Sequence, residues 1–194
     1  MANGDMVVSS LIDAQGCVVG YVDRFGRERD LAGNLLPGGY RPAPGAFLTN
    51  QRLWQSGAPV SVTGTTSETV LATIPIPAGA MGPNGALRVT ALWSFTNGAN
   101  AKSCVIRLGA SQISLFSTTT TNSGQQQSVT RARGATNSQV TQGFGSTGFG
   151  TTTNSPVLTT VDMTSAQNVT LTGILTNASD TITLEAYTVE LLNP

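Results

Sequence analysis

Ten carboxylates, one lysine, two cysteines and no histidine are the groups from which this 194-residue chain would have to build any chemistry. Without imidazole, the usual general base near neutral pH and the commonest metal ligand are both missing. Zinc sites and hydrolytic triads built on histidine are thereby excluded. A pair of carboxylates is the remaining route to acid–base work, as in glycoside hydrolysis. Asp5, Asp13, Asp23, Glu28 and Asp30 crowd the N-terminal end, while Glu68, Asp162, Asp180, Glu185 and Glu190 are spread thinly over the rest. Asp180 and Glu185 are five apart, an offset that sends strand side chains to opposite faces. Lys102 belongs to no Gly-Lys-Ser/Thr phosphate loop. The stretch GFGSTGFG at 143–150 lacks the strand-to-helix frame of a nucleotide cradle and reads as a loop. Cys17 and Cys104 lie in CVVGYV and SCVIRL, contexts expected to bury them as free thiols. No catalytic residue, cofactor site or metal site is expected.

The elements that would position these groups are β-strands. Thr, Ser, Gly and Asn dominate the composition, only 10% of residues are charged, and 39% are hydrophobic, enough to close a core. Disorder would need lower hydrophobicity and stronger self-repulsion. The first residues lack the basic start and apolar stretch of a signal peptide, and no run of eighteen apolar residues occurs, so neither secretion nor membrane insertion is expected.

Residues 1–36 carry most of the local charge. MVVSSLI and GCVVGYV read as two strands joined by a turn at Asp13, Gln15 and Gly16, and Arg-Phe-Gly-Arg (24–27) as a second turn. So small a hairpin or meander normally needs a partner surface. This segment is therefore read as an attachment arm, with Tyr21, Arg24, Phe25, Arg27 and Arg29 as its contact candidates. Residues 37–57 are read as a linker, since LLPGGYRPAPGAF (35–47) is too rich in Pro and Gly for regular structure. Trp54, after the Pro/Gly-rich stretch, is the candidate anchor that packs the linker onto the domain.

From residue 58 to 194 short β-like segments alternate with turn clusters. Strands are predicted near 59–63, 69–76, 86–96, 103–108, 111–117, 126–133, 137–142, 157–163, 168–176 and 181–192. In ALRVTALWSF, Leu87, Val89, Ala91, Trp93 and Phe95 share one face, Arg88, Thr90, Leu92 and Ser94 the other. Ile182, Leu184 and Ala186 alternate in the same way with Thr181, Thr183 and Glu185. Asn-Gly turns at 84–85 and 97–98 support the segmentation. The expected fold is all-β, an antiparallel sandwich of jelly-roll type preceded by an extended arm with a small hairpin.

Several exposed features admit two readings. Arg131 and Arg133 in SVTRARG fall on one side of a strand and are either subunit-interface contacts or a solvated face. Phe144 and Phe149, in the glycine-rich loop, must find a pocket over the sheet or mark an external contact. The tracts at 117–127 and 149–156 read as solvated loops. Residues 53–160 hold Glu68 against Arg88, Lys102, Arg107, Arg131 and Arg133, whereas 161–194 hold only acids. That asymmetry pairs strands within the sandwich or complements neighbouring subunits, and it is too sparse for nucleic acid.

Residues 60–113, VSVTGTTSETVLATIPIPAGAMGPNGALRVTALWSFTNGANAKSCVIRLGASQI, and the closing LTNASDTITLEAYTVELL (175–192) resemble small structural proteins of tailed bacteriophages. Such proteins show a strand ending in I-P-x-P, a Gly/Asn-rich turn, a long amphipathic strand and Thr-rich hairpins. The resemblance implies a virion component, a head decoration or cement protein or a head fibre. It further implies a homotrimer whose arm binds the major capsid protein or another virion protein, assembled in the host cytoplasm. A tail fibre or adaptor with a host glycan as partner is the alternative, and a polysaccharide-degrading spike a remote one.

Overall fold

The computed structural model describes residues 7–12, 18–23, 27–30, 35–40, 51–143 and 154–192, and all regular structure among them is β. Two compact units divide between Leu48 and Thr49.

The first unit is a four-stranded antiparallel meander in the order β1 (Val7–Ile12), β2 (Val18–Asp23), β3 (Arg27–Asp30), β4 (Leu35–Tyr40). The expected pair of strands is thus present, and β3 pairs antiparallel with β2; the turn expected at 24–27 lies mostly outside the described residues. A fourth strand joins them where Pro and Gly argued for irregular chain. β4 lies at the end of the sheet, and an edge position is where a residue without an amide hydrogen, here Pro37, is tolerated.

The second unit is a sandwich. One sheet runs β10 (Ser111–Thr118), β9 (Lys102–Leu108), β14 (Gln167–Leu175), β7 (Thr69–Ile76). The other runs β13 (Val157–Thr159), β12 (Gln139–Thr141), β11 (Ser123–Ala132), β8 (Ala86–Phe95), β15 (Ile182–Leu192), β5 (Gln51–Ser56), with β6 (Val60–Val62) also on β15. Setting aside β5, β12 and β13, the pairing is nested: β6 with β15, β7 with β14, β8 with β11, β9 with β10. First with last and second with second-last is the winding of a jelly roll. Each such pair is antiparallel, and successive strands alternate between sheets except at the innermost hairpin. The fold expectation is met.

The alternating pattern of β8 is realised residue by residue: Leu87, Val89, Ala91 and Trp93 are fully buried, while Leu92 is 43% exposed. Ile74, Ile76, Ile106, Leu108 and Leu171 meet them from the other sheet. Two glycines let the layers approach. A Cβ on Gly124 would stand 2.9 Å from the Phe116 ring, and one on Gly173 would stand 3.0 Å from Val62 Cγ1.

Three sequence readings are corrected. Gln51–Ser56, inside the expected linker, is a strand paired with the C-terminal half of β15. The tract 117–127 is not loop throughout, because β11 begins at Ser123 and Gln126 is buried. Within β15 the ladder slips between Leu184 and Ala186, so Leu184 faces Trp93 while Ala186 faces exposed Leu92. A bulge at Glu185 reverses the phase, and the alternation read from the sequence fails beyond it.

The inner face of β11 and β12 is polar yet saturated. Gln139, fully buried, donates from Nε2 to Thr136 O (3.1 Å) and Val161 O (2.8 Å) and accepts at Oε1 from Thr159 Oγ1 and Val161 N, both at 3.0 Å. That uses every capacity of a carboxamide. Thr130 and Thr141 share a 2.7 Å hydroxyl hydrogen bond beside it.

Candidate functional site

The arm residues divide. Tyr21 in β2 is half-buried and stands opposite Arg29 of β3, which stands opposite Leu35 of β4; Arg27 stands opposite Tyr40. Arg24 and Phe25 lie outside the described residues, as do Phe144, Phe149 and Cys17. Arg131 is exposed on β11 opposite Val140 and Ala86. Arg133 is exposed too, but β11 ends at Ala132, so Arg133 lies in the following turn, its amide bonded to Ser138 O at 2.9 Å. The two arginines therefore do not share a strand. Trp54 is a β5 residue opposite Val189 and remains 50% exposed.

Carboxylates of the sandwich are engaged singly rather than in pairs. Glu68 takes a two-pronged contact from Arg107, Nε to Oε1 at 3.0 Å and Nη2 to Oε2 at 2.9 Å, and a hydroxyl hydrogen bond from Thr172. The Arg107 and Thr172 hydrogen bonds hold its carboxyl below the ordinary glutamate range. Arg88 Nε donates to Glu190 at 2.7 Å, Ser94 donates to Glu185, and Thr164 donates to Asp162 from both amide and hydroxyl. Arg88–Glu190 joins the cation-rich stretch to the acidic C-terminal one, so part of the sequence asymmetry is spent inside the sandwich. No cluster of three or more His, Cys, Asp or Glu with metal-binding geometry occurs among the described residues. Cys104 is fully buried, and desolvation drives its thiol far above the usual range.

Loops gathered at one end of the jelly roll make the second candidate surface. The β8–β9 loop (96–101), the β10–β11 loop (119–122), the β14–β15 loop (176–181) and the β6–β7 loop (63–68) are cross-tied. Phe95 N donates to Asn122 O (2.9 Å), Thr96 N to Thr181 O (3.0 Å), Thr176 N to Ala101 O (3.1 Å) and Gly64 N to Ala178 O (2.8 Å). Exposed there are Thr66, Thr96, Asn97, Asn100, Thr119, Thr120, Asn122, Asn177 and Ser179. The only charged side chains in these loops are Glu68, held by Arg107, and Asp180, which is buried. Such a surface offers hydroxyl and amide groups and little charge.

Beneath it lies Lys102, which the sequence reading noted as the lone lysine without placing it. Its position was legible: in KSCVIRL it shares the phase of Cys104, Ile106 and Leu108, all buried.

No protein-family model matches the chain, and no curated protein matches it. Among solved structures it is similar to infectious bursal disease virus of the Gt strain, at 9% identity and TM-score 0.32 over 96% of this chain and 42% of that one. The Gx strain of that virus gives 9% and 0.27 over 74% of this chain and 36% of that one. A mutant VP2 protein of the virus, in derived T=1 particles, gives 11% and 0.28 over 90% and 42%. The chain spans less than half the length of each.

Proposed function

We propose that the chain is a non-enzymatic virion structural protein, a capsid decoration, cement or head-fibre component. Its N-terminal unit attaches to the shell and its jelly roll is displayed as a trimer. The observation that carries this reading is the division into two compact units. The first holds half the acids and the densest run of arginines, and the second holds a complete, nearly neutral jelly roll. The single engagement of each sandwich carboxylate supports the non-enzymatic part. Three equivalent arms on one trimer would bind three equivalent sites, so modest contacts per arm give slow release.

Uncharged hydroxyl and amide groups at the loop end favour a second reading, a tail component whose loops contact a neutral host glycan. Electron cryomicroscopy of particles carrying the chain separates the two. Density on the capsid exterior, together with a fragment 49–194 that stays folded and trimeric but no longer joins particles, is the expected result. Density confined to the tail selects the second reading. Absence of the chain from purified particles overturns both.

A further inference from the structure

Lys102 is fully buried, and its ammonium is surrounded by oxygen. Nζ donates to Asn100 O at 2.7 Å, to Thr119 O at 3.0 Å and, at the limit of a hydrogen bond, to Gly98 O at 3.4 Å. Asp180 Oδ2 stands 3.8 Å away, too far for a hydrogen bond but within ion-pair range. That oxygen is buried and has no hydrogen-bond partner. Carbonyls from the β8–β9 and β10–β11 loops and a carboxylate from the β14–β15 loop thus converge on one positive charge. Convergent carbonyls and a carboxylate are the donor set that proteins offer to hard cations.

We propose that the Lys102 ammonium is the structural cation of this loop end, a tethered ion standing where other proteins place a free one. It satisfies carbonyls that would otherwise repel one another, and it neutralises Asp180. It thereby sets the spacing of the loops that form the uncharged surface. The geometry explains why a strand otherwise filled with Cys104, Ile106 and Leu108 admits a lysine: the carbon stem continues the apolar face and only the head needs polar partners. The inference holds whether or not the chain belongs to a virion.

Thermal unfolding of the full chain tests it with four variants: Lys102→Met, Asp180→Asn, the two combined, and Lys102→Ala. Lys102→Met keeps the stem and deletes the charge, stranding the carboxylate. A fall in Tm of about 10 °C is expected, from the usual cost of breaking a buried ion pair in a domain this size. Lys102→Met combined with Asp180→Asn should melt above Lys102→Met alone, because the unpaired charge has gone. In Lys102→Ala the emptied site should accept a small cation. Ammonium chloride should raise its Tm more than sodium chloride of equal strength, with no such difference in the parent chain. Wild-type melting by Lys102→Met, additive losses in the double variant, or equal response to the two salts would each overturn the proposal.

Should the Lys102 variants fail to fold, Asp180→Asn alone remains informative by hydrogen exchange. Faster exchange at the amides of Phe95, Thr96 and Thr176, with Gly79 and Met163 unchanged, is expected. Exchange unaltered at those three amides sinks the idea.

Discussion

The indole Nε1 of Trp93 donates a 3.1 Å hydrogen bond to Oε1 of Gln126, diagonally between β8 and β11 inside the sandwich. The same carboxamide donates from Nε2 to Ser114 Oγ at 2.9 Å and to Cys104 O at 3.3 Å, both in the opposite sheet. One side chain therefore satisfies the largest buried aromatic and ties the layers together. Replacing Gln126 with Leu keeps the volume but leaves the indole donor, Ser114 and a carbonyl without this partner. The expected loss is about 2–3 kcal/mol in urea unfolding, above the worth of one ordinary hydrogen bond because several groups are stranded together. A loss below about 0.5 kcal/mol would mean that the site takes up water or repacks at no cost.

At Gly173, β14 lies close against side chains of β6 and β15. A Cβ there would meet Val62 Cγ1 at 3.0 Å and Ile182 at 3.4 Å. Gly173→Val is expected to destabilise by about 2–3 kcal/mol through overpacking. Adding Val62→Ala should recover a good part of that, since it removes the atoms in the way. Additive losses in the double-mutant cycle would show that the strain is relieved elsewhere.

How far the fold could be read ahead depended on phase. Leu87 to Phe95 keep strict alternation along a central strand, so β8 and its buried face were legible outright. β15 has the same signal only as far as Leu184, because a bulge is a backbone event that leaves no mark on hydrophobic period. β4 and β5 were missed because both are poor in alternating apolar residues and each rests on a single neighbouring strand. Gln126 and Gln139 fall in segments that read as strands, but a glutamine does not announce burial, and only their partners, distant in sequence, make them core. Of the candidate surfaces, the charged arm stood out as a local cluster. The Lys102–Asp180 centre joins residues far apart in the chain and emerges only from the winding.

The Glu68–Arg107 contact carries a pH signature. The folded carboxyl titrates below its ordinary value of 4.5 because Arg107 and Thr172 hydrogen-bond to the charged form. Its contribution is therefore complete above about that pH and is lost as pH falls through the lower folded value. With both side chains about one third exposed, 33% and 29%, the contribution should stay below about 1 kcal/mol. Glu68→Gln should thus lower the urea midpoint slightly at pH 7, with the gap from wild type closing as pH falls below 4.5 and through the lower folded value. A gap that widens in acid would reverse the sign of the linkage and rule out this contact as its source.

The proposed attachment through the N-terminal unit makes its own electrostatic demand. Arg24, Arg27 and Arg29 sit within six residues, the densest positive run in a chain whose formal charge is zero. Exposed charges act over about 8–10 Å at moderate salt, so an arm that uses them binds more weakly as salt rises. Replacing all three with Ala should reduce occupancy on particles several-fold in dilute buffer and flatten the salt dependence. The same variant should leave unfolding of the 49–194 unit unchanged, since that unit is compact on its own. Quantitative gels of particles washed across a salt series, with thermal melts of the free protein alongside, provide both readings. Equal occupancy and equal salt slopes for parent and variant would remove charge from the attachment mechanism and leave it to apolar or backbone contacts of the four-stranded meander.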